Sequence, residues 1–271
     1  MSHFAVAVFV PEGKSLEEML APYQENNMGG CLEQYLEFFD VEEEYRKQYQ
    51  EEGREMILCP GGAVLPKHDE LFLVGTGLSY AHEVPEGEGY ETVLVPHKHL
   101  FMTFDEFIRD WGGYRKDAKT GRYGYWENPN RKWDWYSVGG RWQGLLVSKS
   151  GLRCNSTIIY DLDFERMKAA AIKDREDAWD KAQSEDEVIR ELCYGIPKNI
   201  TREEYLADIQ PLVTFAVITP DGEWHEKGNM GWFGMSSATP EDDATWNAGF
   251  FEQFLANADP GLLLVIVDCH I

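Results

Sequence analysis

The last residues of the chain could carry acid–base chemistry. Asp268, Cys269 and His270 place a carboxylate, a thiol and an imidazole side by side where an apolar strand finishes. If the first strand lies beside the last one, His3 approaches His270, and the cluster becomes either a metal-ligand set or an acid–base pair. The alternative is a solvent-exposed strand end with Cys269 as a small buried apolar group. The candidate catalytic residues are therefore Asp268, His270 and His3.

A second candidate site is the aromatic segment 126–142, which holds four of the nine tryptophans and ends in Gly-Gly-Arg-Trp. Indole rings stack on planar ligands, and a guanidinium captures carboxylate or phosphate in a bidentate manner. The glycines beside Trp232 indicate a second close approach of the backbone. The candidate ligand-binding residues are Trp133, Asp134, Trp135, Tyr136, Arg141, Trp142 and Trp232.

Two other interpretations of the aromatic segment stay open. The same residue types form the hot spots of protein interfaces. They also form aromatic cores beneath loops, in which case Arg141 would pair with Asp134.

The remaining motifs are weaker. His97 and His99 alternate to one face of a predicted strand and could hold a metal, but no third ligand stands at a diagnostic spacing. Gly75 and Gly77 lack the third glycine of a dinucleotide loop. The sequence contains no nucleophile elbow, phosphate loop, paired-cysteine zinc motif or H-E-x-x-H, so we predict no metal and no cofactor.

The amino-acid composition limits the classes of molecule that the protein is expected to bind. The 271 residues carry 25 basic and 48 acidic side chains, for a net charge of −23. Such a surface disfavours duplex nucleic acid and anionic membranes, while it permits a basic protein partner. Five scattered cysteines without a C-x-x-C pair fit reduced thiols, and residues 3–10 are predicted to be a buried strand rather than a signal peptide. We therefore expect a cytoplasmic protein.

Hydrophobic spacing and capping residues predict the elements that position these sites. Residues 213–219 and 262–267 are predicted strands, and 161–192 is the most helical region. Residues 31–52 are predicted to be an amphipathic helix, and Leu145–Val147 with Thr157–Tyr160 a hairpin. Helix starts are predicted at Ser15, Thr103, Thr201 and Thr239.

These elements predict an α+β fold. Phe-Ala-Val recurs in the first strand and in the strand near residue 216, which favours an antiparallel sheet of two ferredoxin-like halves, with helices on one face and an inserted aromatic loop. The two chain ends would be neighbouring strands. We predict a single domain, 1–271, with possible sub-units 1–111, 112–160, 161–211 and 212–271.

Three blocks of the sequence resemble a family of proteins of unknown function from tailed-phage and prophage genomes. The blocks are the Ser2-His3-Phe4 start, the segment from Asn128 to Trp142, and Met230–Gly234 together with Val267–Ile271. The resemblance covers under a third of the chain and leaves 31–111 and 161–200 unmatched. It implies a phage accessory protein in a bacterial cytoplasm, and it implies no catalytic role.

Two hypotheses of function follow. The first is a non-enzymatic counter-defence inhibitor that binds and neutralises a host protein or complex through its acidic surface. The second is a binder or hydrolase of a nucleotide-like small molecule that uses the tryptophan–arginine cluster and the Asp268/His270 end. We also expect residues 126–142, Gly231–Gly234 and Asp268–His270 to converge in space; if they do not, the aromatic segment is core.

Overall fold

The computed structural model describes residues 2–76, 79–85, 89–183, 200–207, 209–231 and 235–271. Within these ranges, no helix combines the length and the apolar character that crossing a membrane requires. Two compact units are present, one built from residues 1–36 and 128–271 and the other from residues 37–127. These limits differ from those of the predicted sub-units.

Fifteen strands and seven α-helices are described. The strands are β1 (His3–Val10), β2 (Glu37–Asp40), β3 (Gly53–Leu58), β4 (Val64–Pro66), β5 (Leu73–Thr76), β6 (Ser79–His82), β7 (Glu91–Pro96), β8 (Gly124–Glu127), β9 (Trp135–Val138), β10 (Leu146–Val147), β11 (Arg153–Cys154), β12 (Ser156–Ile158), β13 (Ala216–Ile218), β14 (Trp224–Glu226) and β15 (Leu263–His270). The helices are α1 (Leu16–Leu20), α2 (Glu42–Glu51), α3 (His97–Leu100), α4 (Phe104–Asp110), α5 (Phe164–Ala182), α6 (Arg202–Tyr205) and α7 (Pro240–Phe250), the last continuing into a π-turn over Phe251–Leu255.

The first unit is built on a six-stranded sheet with the strand order β12-β15-β1-β13-β14, in which β9 also pairs with β15. The two chain ends lie side by side, because β1 and β15 are antiparallel from the pair His3–His270 to the pair Val10–Leu263. The α+β class and the pairing of the chain ends are confirmed. β1 pairs in parallel with β13, the strand at which the Phe-Ala-Val sequence of β1 recurs. The division into two ferredoxin-like halves stays a prediction.

Apolar side chains cover both faces of this sheet. On one face, Phe9 and Ile266 pack against Phe250 of α7 and Met167 of α5. On the other face, the core contains side chains of α1 together with Trp133. The prediction that helices cover one face is therefore wrong, because alternate residues of the central strands are apolar on both sides and each side must be shielded from water.

The second unit contains three small antiparallel sheets, β2-β8, β4-β3-β7 and β5-β6. The predicted helix over 31–52 is correct only for α2. Phe38 and Phe39 lie in β2, where they contact Trp126 and Tyr125 of β8, each pair with ring centroids 5.5 Å apart. These cross-strand aromatic contacts outweigh the helical spacing of the local sequence.

Two other local predictions need correction. The hairpin that begins at β10 returns along β11, while β12 joins the main sheet beside β15. His97 and His99 lie in the single turn α3, not in a strand, and the buried His97 ring packs 4.8 Å from the Phe107 ring. Burial lowers the pKa of His97 and so favours its neutral imidazole.

The predicted helix starts are confirmed. Ser15, Thr201 and Thr239 each form a reciprocal capping box with an acidic residue three positions later. Thr103 also caps its helix, but the Glu106 carboxylate accepts from the Met102 amide rather than from the Thr103 amide. Of the predicted helical region 161–192, α5 accounts for 164–182, and 184–192 lies outside the described residues.

The two tryptophans on either side of Asp134 should differ in their effect on stability. Trp133 is 4% exposed and donates a hydrogen bond to the Leu20 carbonyl, whereas Trp135 is 45% exposed. Trp133→Ala should lower the free energy of unfolding by about 3–5 kcal/mol, because it leaves a cavity and an orphaned carbonyl. Trp135→Ala should cost about 1 kcal/mol or less. Urea denaturation followed by circular dichroism measures both values, and equal losses would contradict this placement.

Candidate functional site

The strand register assembles the candidate site at one end of the main sheet. His3 of β1 lies opposite His270 of β15, and His270 in turn lies opposite Trp135 of β9. Asp268 precedes His270 by two residues, so its side chain points to the same face. Three strands far apart in sequence therefore direct their polar side chains at one point.

Each imidazole in this cluster has its own carboxylate. The His3 Nδ1 lies 2.8 Å from the Asp268 Oδ1, and the His270 Nδ1 lies 2.7 Å from the Asp134 Oδ1. Asp134 lies just before β9, and its backbone amide donates a hydrogen bond to the His270 carbonyl. The two His–Asp pairs are largely buried, with side-chain exposures of 11% and 3% for the first pair and 6% and 17% for the second.

The rings of the site pack directly on one another. The His3 and His270 ring centroids are 5.0 Å apart at an interplanar angle of 76°. The Trp135 indole stacks on His270 at 4.9 Å and 18°, and it meets His3 edge-on at 5.3 Å. One face of Trp135 thus covers the histidines, while nearly half of this side chain remains exposed to solvent.

The carboxylates determine which imidazole nitrogen is left for chemistry. A carboxylate accepts the Nδ1 proton, so the neutral ring keeps its lone pair on Nε2. In His270 this Nε2 is buried and has no hydrogen-bond partner among the described residues. Native structures rarely leave a buried polar atom unpaired without a functional reason or a bound molecule. His270 Nε2 is therefore the atom of the site that most needs a ligand.

A tight glycine turn holds the second oxygen of Asp268. Gly139 and Gly140 have φ angles of +76° and +47°, and a Cβ on Gly140 would lie 2.3 Å from the Asp268 Oδ2. The turn brings the Arg141 amide to that oxygen at 3.0 Å. Asn155 links the segment after this turn to the sheet. The Asn155 Oδ1 accepts a hydrogen bond from the Gly144 amide, and the Asn155 backbone carbonyl accepts one from the Ile266 amide of β15. The Gly-Gly pair signals this turn in the sequence, whereas nothing there singles out Asn155.

Arg141, at the end of this turn, is exposed to solvent. Its side chain makes no ion pair or hydrogen bond within the part of the chain that is described. The pairing of Arg141 with Asp134 that the core interpretation would require is not seen among the described residues, where the Asp134 Oδ1 accepts from His270 and from the Trp135 amide. The Arg141 backbone amide contacts Asp268, and the exposed guanidinium of this residue is of a type suited to an anionic group.

The other predicted ligand-binding residues lie away from this point. Trp133 and Tyr136 meet edge-on in the core on the opposite face of the sheet, and Trp142 packs against the core beneath α5 and α7. Alternation along β9 explains the split, since Tyr136 points to the face opposite Trp135. Trp232 lies outside the described residues, although the carbonyl of the neighbouring Gly231 accepts from the Ser2 hydroxyl. The segment 126–142 thus converges with Asp268–His270, whereas the convergence of Trp232–Gly234 concerns residues outside the described ranges.

Cys269 takes no part in the cluster. Its side chain is fully buried in the core on the other face, and this burial raises the pKa of the thiol well above its usual value, with the Asp268 and Asp134 charges adding to the effect. Cys269 is therefore disfavoured as a thiolate nucleophile, in agreement with the prediction that it is a small buried apolar group. No set of three His, Cys, Asp or Glu side chains with metal-binding geometry occurs within the described ranges.

The histidine cluster is closed in this conformation. A cavity of about 720 Å³ in the same unit lies between α5, α7 and residues 209–213, and none of the cluster residues lines it. The Trp135 indole stacks on the His270 ring, so a movement of this side chain would expose part of that ring. Losing an aromatic stack costs about 0.5–1.5 kcal/mol, so this movement is energetically accessible.

Comparisons with protein-family models, curated proteins and solved structures found no match. The chemistry of the site is accordingly inferred from its geometry.

Gly140→Ala tests the packing of the turn against Asp268. The added methyl group must displace the carboxylate, so we expect a loss of unfolding free energy larger by about 1–3 kcal/mol than that of Gly13→Ala. Gly13 is the matched control because it also has a positive φ, +84°, but has open space around a Cβ. Thermal and urea unfolding measure the difference, and equal losses would contradict the close packing.

Proposed function

We propose that the two His–Asp pairs form an acid–base site that binds a nucleotide-like small molecule and transfers protons at its phosphoryl group. The observation that carries this proposal is the contact between the His3 and His270 rings, each held by a separate carboxylate at Nδ1. One such pair is a common structural feature of proteins. Two in contact supply a base and an acid at one place, which is what substitution at phosphorus requires.

The geometry of the pairs suits this chemistry. A carboxylate on Nδ1 orients the imidazole and fixes its tautomer, so the lone pair of the neutral ring lies on Nε2.

Two neighbouring side chains supply binding energy. The exposed part of the Trp135 ring offers a surface on which a nucleobase can stack, at about 1–3 kcal/mol per base. Arg141 offers a guanidinium for a phosphate group, and a bidentate pair of this kind is directional as well as strong. Asp134, Trp135, Arg141, Asp268, His3 and His270 together make up the proposed site.

A second candidate function is the acidic inhibitor of a host factor. Its support is the net charge of −23 together with the resemblance to phage proteins. A strongly acidic surface attracts basic proteins and accelerates their association. This function requires no chemistry at the histidine cluster, so the two candidates can be tested separately.

Nucleotide binding is tested by titrating the protein with 5′-mononucleotides and with 2′,3′- and 3′,5′-cyclic nucleotides while tryptophan fluorescence is followed. We expect quenching that disappears in Trp135→Phe, with affinity reduced about 10-fold or more in Arg141→Ala, since a charge-assisted hydrogen bond contributes about 1.5–3 kcal/mol. Arg131→Ala is the matched control, because this exposed arginine lies in the same segment but outside the cluster. Absence of quenching by every nucleotide would overturn the proposal.

The acidic-surface hypothesis predicts that a partner dissociates as salt rises. A tagged protein is incubated with bacterial lysate, and the captured proteins are eluted with sodium chloride from about 0.05 to 1 M, a range over which the screening length falls from above 10 Å to about 3 Å. Basic proteins should elute at the lower concentrations. A specific partner retained unchanged at the highest concentration would contradict binding through charge.

A further inference from the structure

The cavity between α5, α7 and residues 209–213 has the dimensions of a small-molecule site. Its volume is about 720 Å³, and ligand pockets typically measure about 300–1,000 Å³. Its described lining includes alanines on both helices, namely Ala170 and Ala171 of α5 and Ala244 and Ala248 of α7. Protein interiors are normally close-packed, and these short side chains leave the space between the two helices unfilled.

The buried side chains that line this cavity are apolar. Met167 of α5, Ile209 and Leu212 are 1%, 7% and 3% exposed. Met167 and Leu212 also belong to the hydrophobic core that covers one face of the main sheet. A ligand with an apolar body would remove its own surface from water by covering these side chains, and this burial favours binding.

The charged side chains of the lining are exposed, and cations predominate among them. In the described lining they are Arg153, Asp174 and Arg175, which together carry a net charge of +1. The chain as a whole has the opposite balance, with 48 acidic and 25 basic residues. The exposed side of this cavity is therefore cationic in an otherwise acidic protein, which favours a ligand group with a single negative charge.

Contacts with neighbouring residues restrict both arginines. The Arg175 Nη1 donates a hydrogen bond of 2.8 Å to the Tyr205 carbonyl, and the guanidinium carbon lies 5.1 Å from the centre of the Tyr205 ring. The Arg153 side chain crosses Gly144, since a Cβ at this glycine would lie 3.4 Å from the Arg153 Cβ and 3.7 Å from its Cδ. A guanidinium has several N–H donors, so Arg175 retains donors for a ligand after bonding to Tyr205. Restricted side chains also lose less conformational entropy on binding.

We propose that this cavity binds a small amphipathic carboxylate, with its apolar chain against Met167 and Leu212 and its carboxylate beside Arg153 and Arg175. The buried apolar side chains and the exposed cations assign the two ends of the ligand separately. This inference goes beyond the acid–base site, because none of the residues proposed for that site is in the described lining of the cavity. The two proposals can therefore fail independently.

The first test titrates protein labelled with ¹³C-methyl methionine with hexanoate, octanoate and decanoate, at concentrations below those that form micelles. We expect the Met167 methyl resonance, assigned with Met167→Leu, to shift most among the methionines. Affinity should rise about tenfold from hexanoate to octanoate, because octanoate buries two more methylene groups. No shift of the Met167 methyl group with any of the three carboxylates would overturn the proposal.

Two arginine variants test the position of the carboxylate, with 1-octanol as the uncharged counterpart of octanoate. Arg153→Gln and Arg175→Gln should each weaken octanoate binding about three- to fivefold, as expected for an ion pair at an exposed position, and should leave octanol binding unchanged. Arg131→Gln is the matched control, because Arg131 is an exposed arginine of the same unit outside the described lining. It should change neither affinity. If both cavity variants bind octanoate as tightly as the unaltered protein, the assignment of an anion is wrong.

Two alanine variants test the position of the apolar chain. Ala171→Leu and Ala248→Leu each fill part of the cavity from one of the two helices, so both should weaken the binding of octanoate and of octanol alike. Circular dichroism identifies a variant that fails to fold, in which case the variant on the other helix decides; if both fail, the Met167 shift in the unaltered protein decides. Affinities that neither folded variant lowers would place the ligand elsewhere and overturn the proposal.

Discussion

The pairing of β1 with β15 is the constraint on which the rest of the site depends. Because these strands are antiparallel and in register from His3–His270 onward, His3 and His270 meet at one end of the two central strands of the sheet. Nearly all the remaining residues of this ladder are buried, and a shift of β15 by one residue would move each of its side chains to the opposite face. Asp268 and His270 would then enter the core that now holds Cys269. The hydrophobic core thereby fixes the distance between the two histidines.

The cluster is stable because each charge that it can carry has a nearby partner. A buried carboxylate is costly unless donors surround it, and Asp268 receives an imidazole on one side and a backbone amide on the other. The Gly139–Gly140 turn makes the second contact possible, since a side chain at Gly140 would occupy the space of the carboxylate. What remains unsatisfied is His270 Nε2, which is the group that the proposed chemistry uses.

Much of this arrangement follows from local signals in the sequence. Alternation along the first and last strands, together with their apolar character, predicted a central pair and the approach of His3 to His270. Helix starts were also predictable, because capping depends on residues three positions apart. By contrast, β2 was predicted as a helix, since its cross-strand aromatic partners lie some ninety residues later in the chain. Propensity carries no information about such distant contacts.

The aromatic segment shows the same limit within the site. Trp133 and Trp135 look alike in the sequence, and only the pairing of β9 with β15 places Trp135 over the histidines while Trp133 enters the core. The partnership of Asp134 with His270, rather than with Arg141, depends equally on that pairing. Residue types in the sequence therefore indicated which residues belong to the site, whereas the register of distant strands determines which of them contact one another.

Both imidazoles carry their proton on Nδ1 in the proposed site and keep the lone pair on Nε2. Long-range ¹H–¹⁵N correlation spectra of ¹⁵N-histidine-labelled protein measure this directly, because the two tautomers give distinct nitrogen shifts and couplings. We expect the Nδ1–H form for the neutral rings of His3 and His270, with Asp268→Asn perturbing chiefly the first and Asp134→Asn chiefly the second. An Nε2–H tautomer at either histidine would contradict it, because the ring could then not donate to its carboxylate through Nδ1.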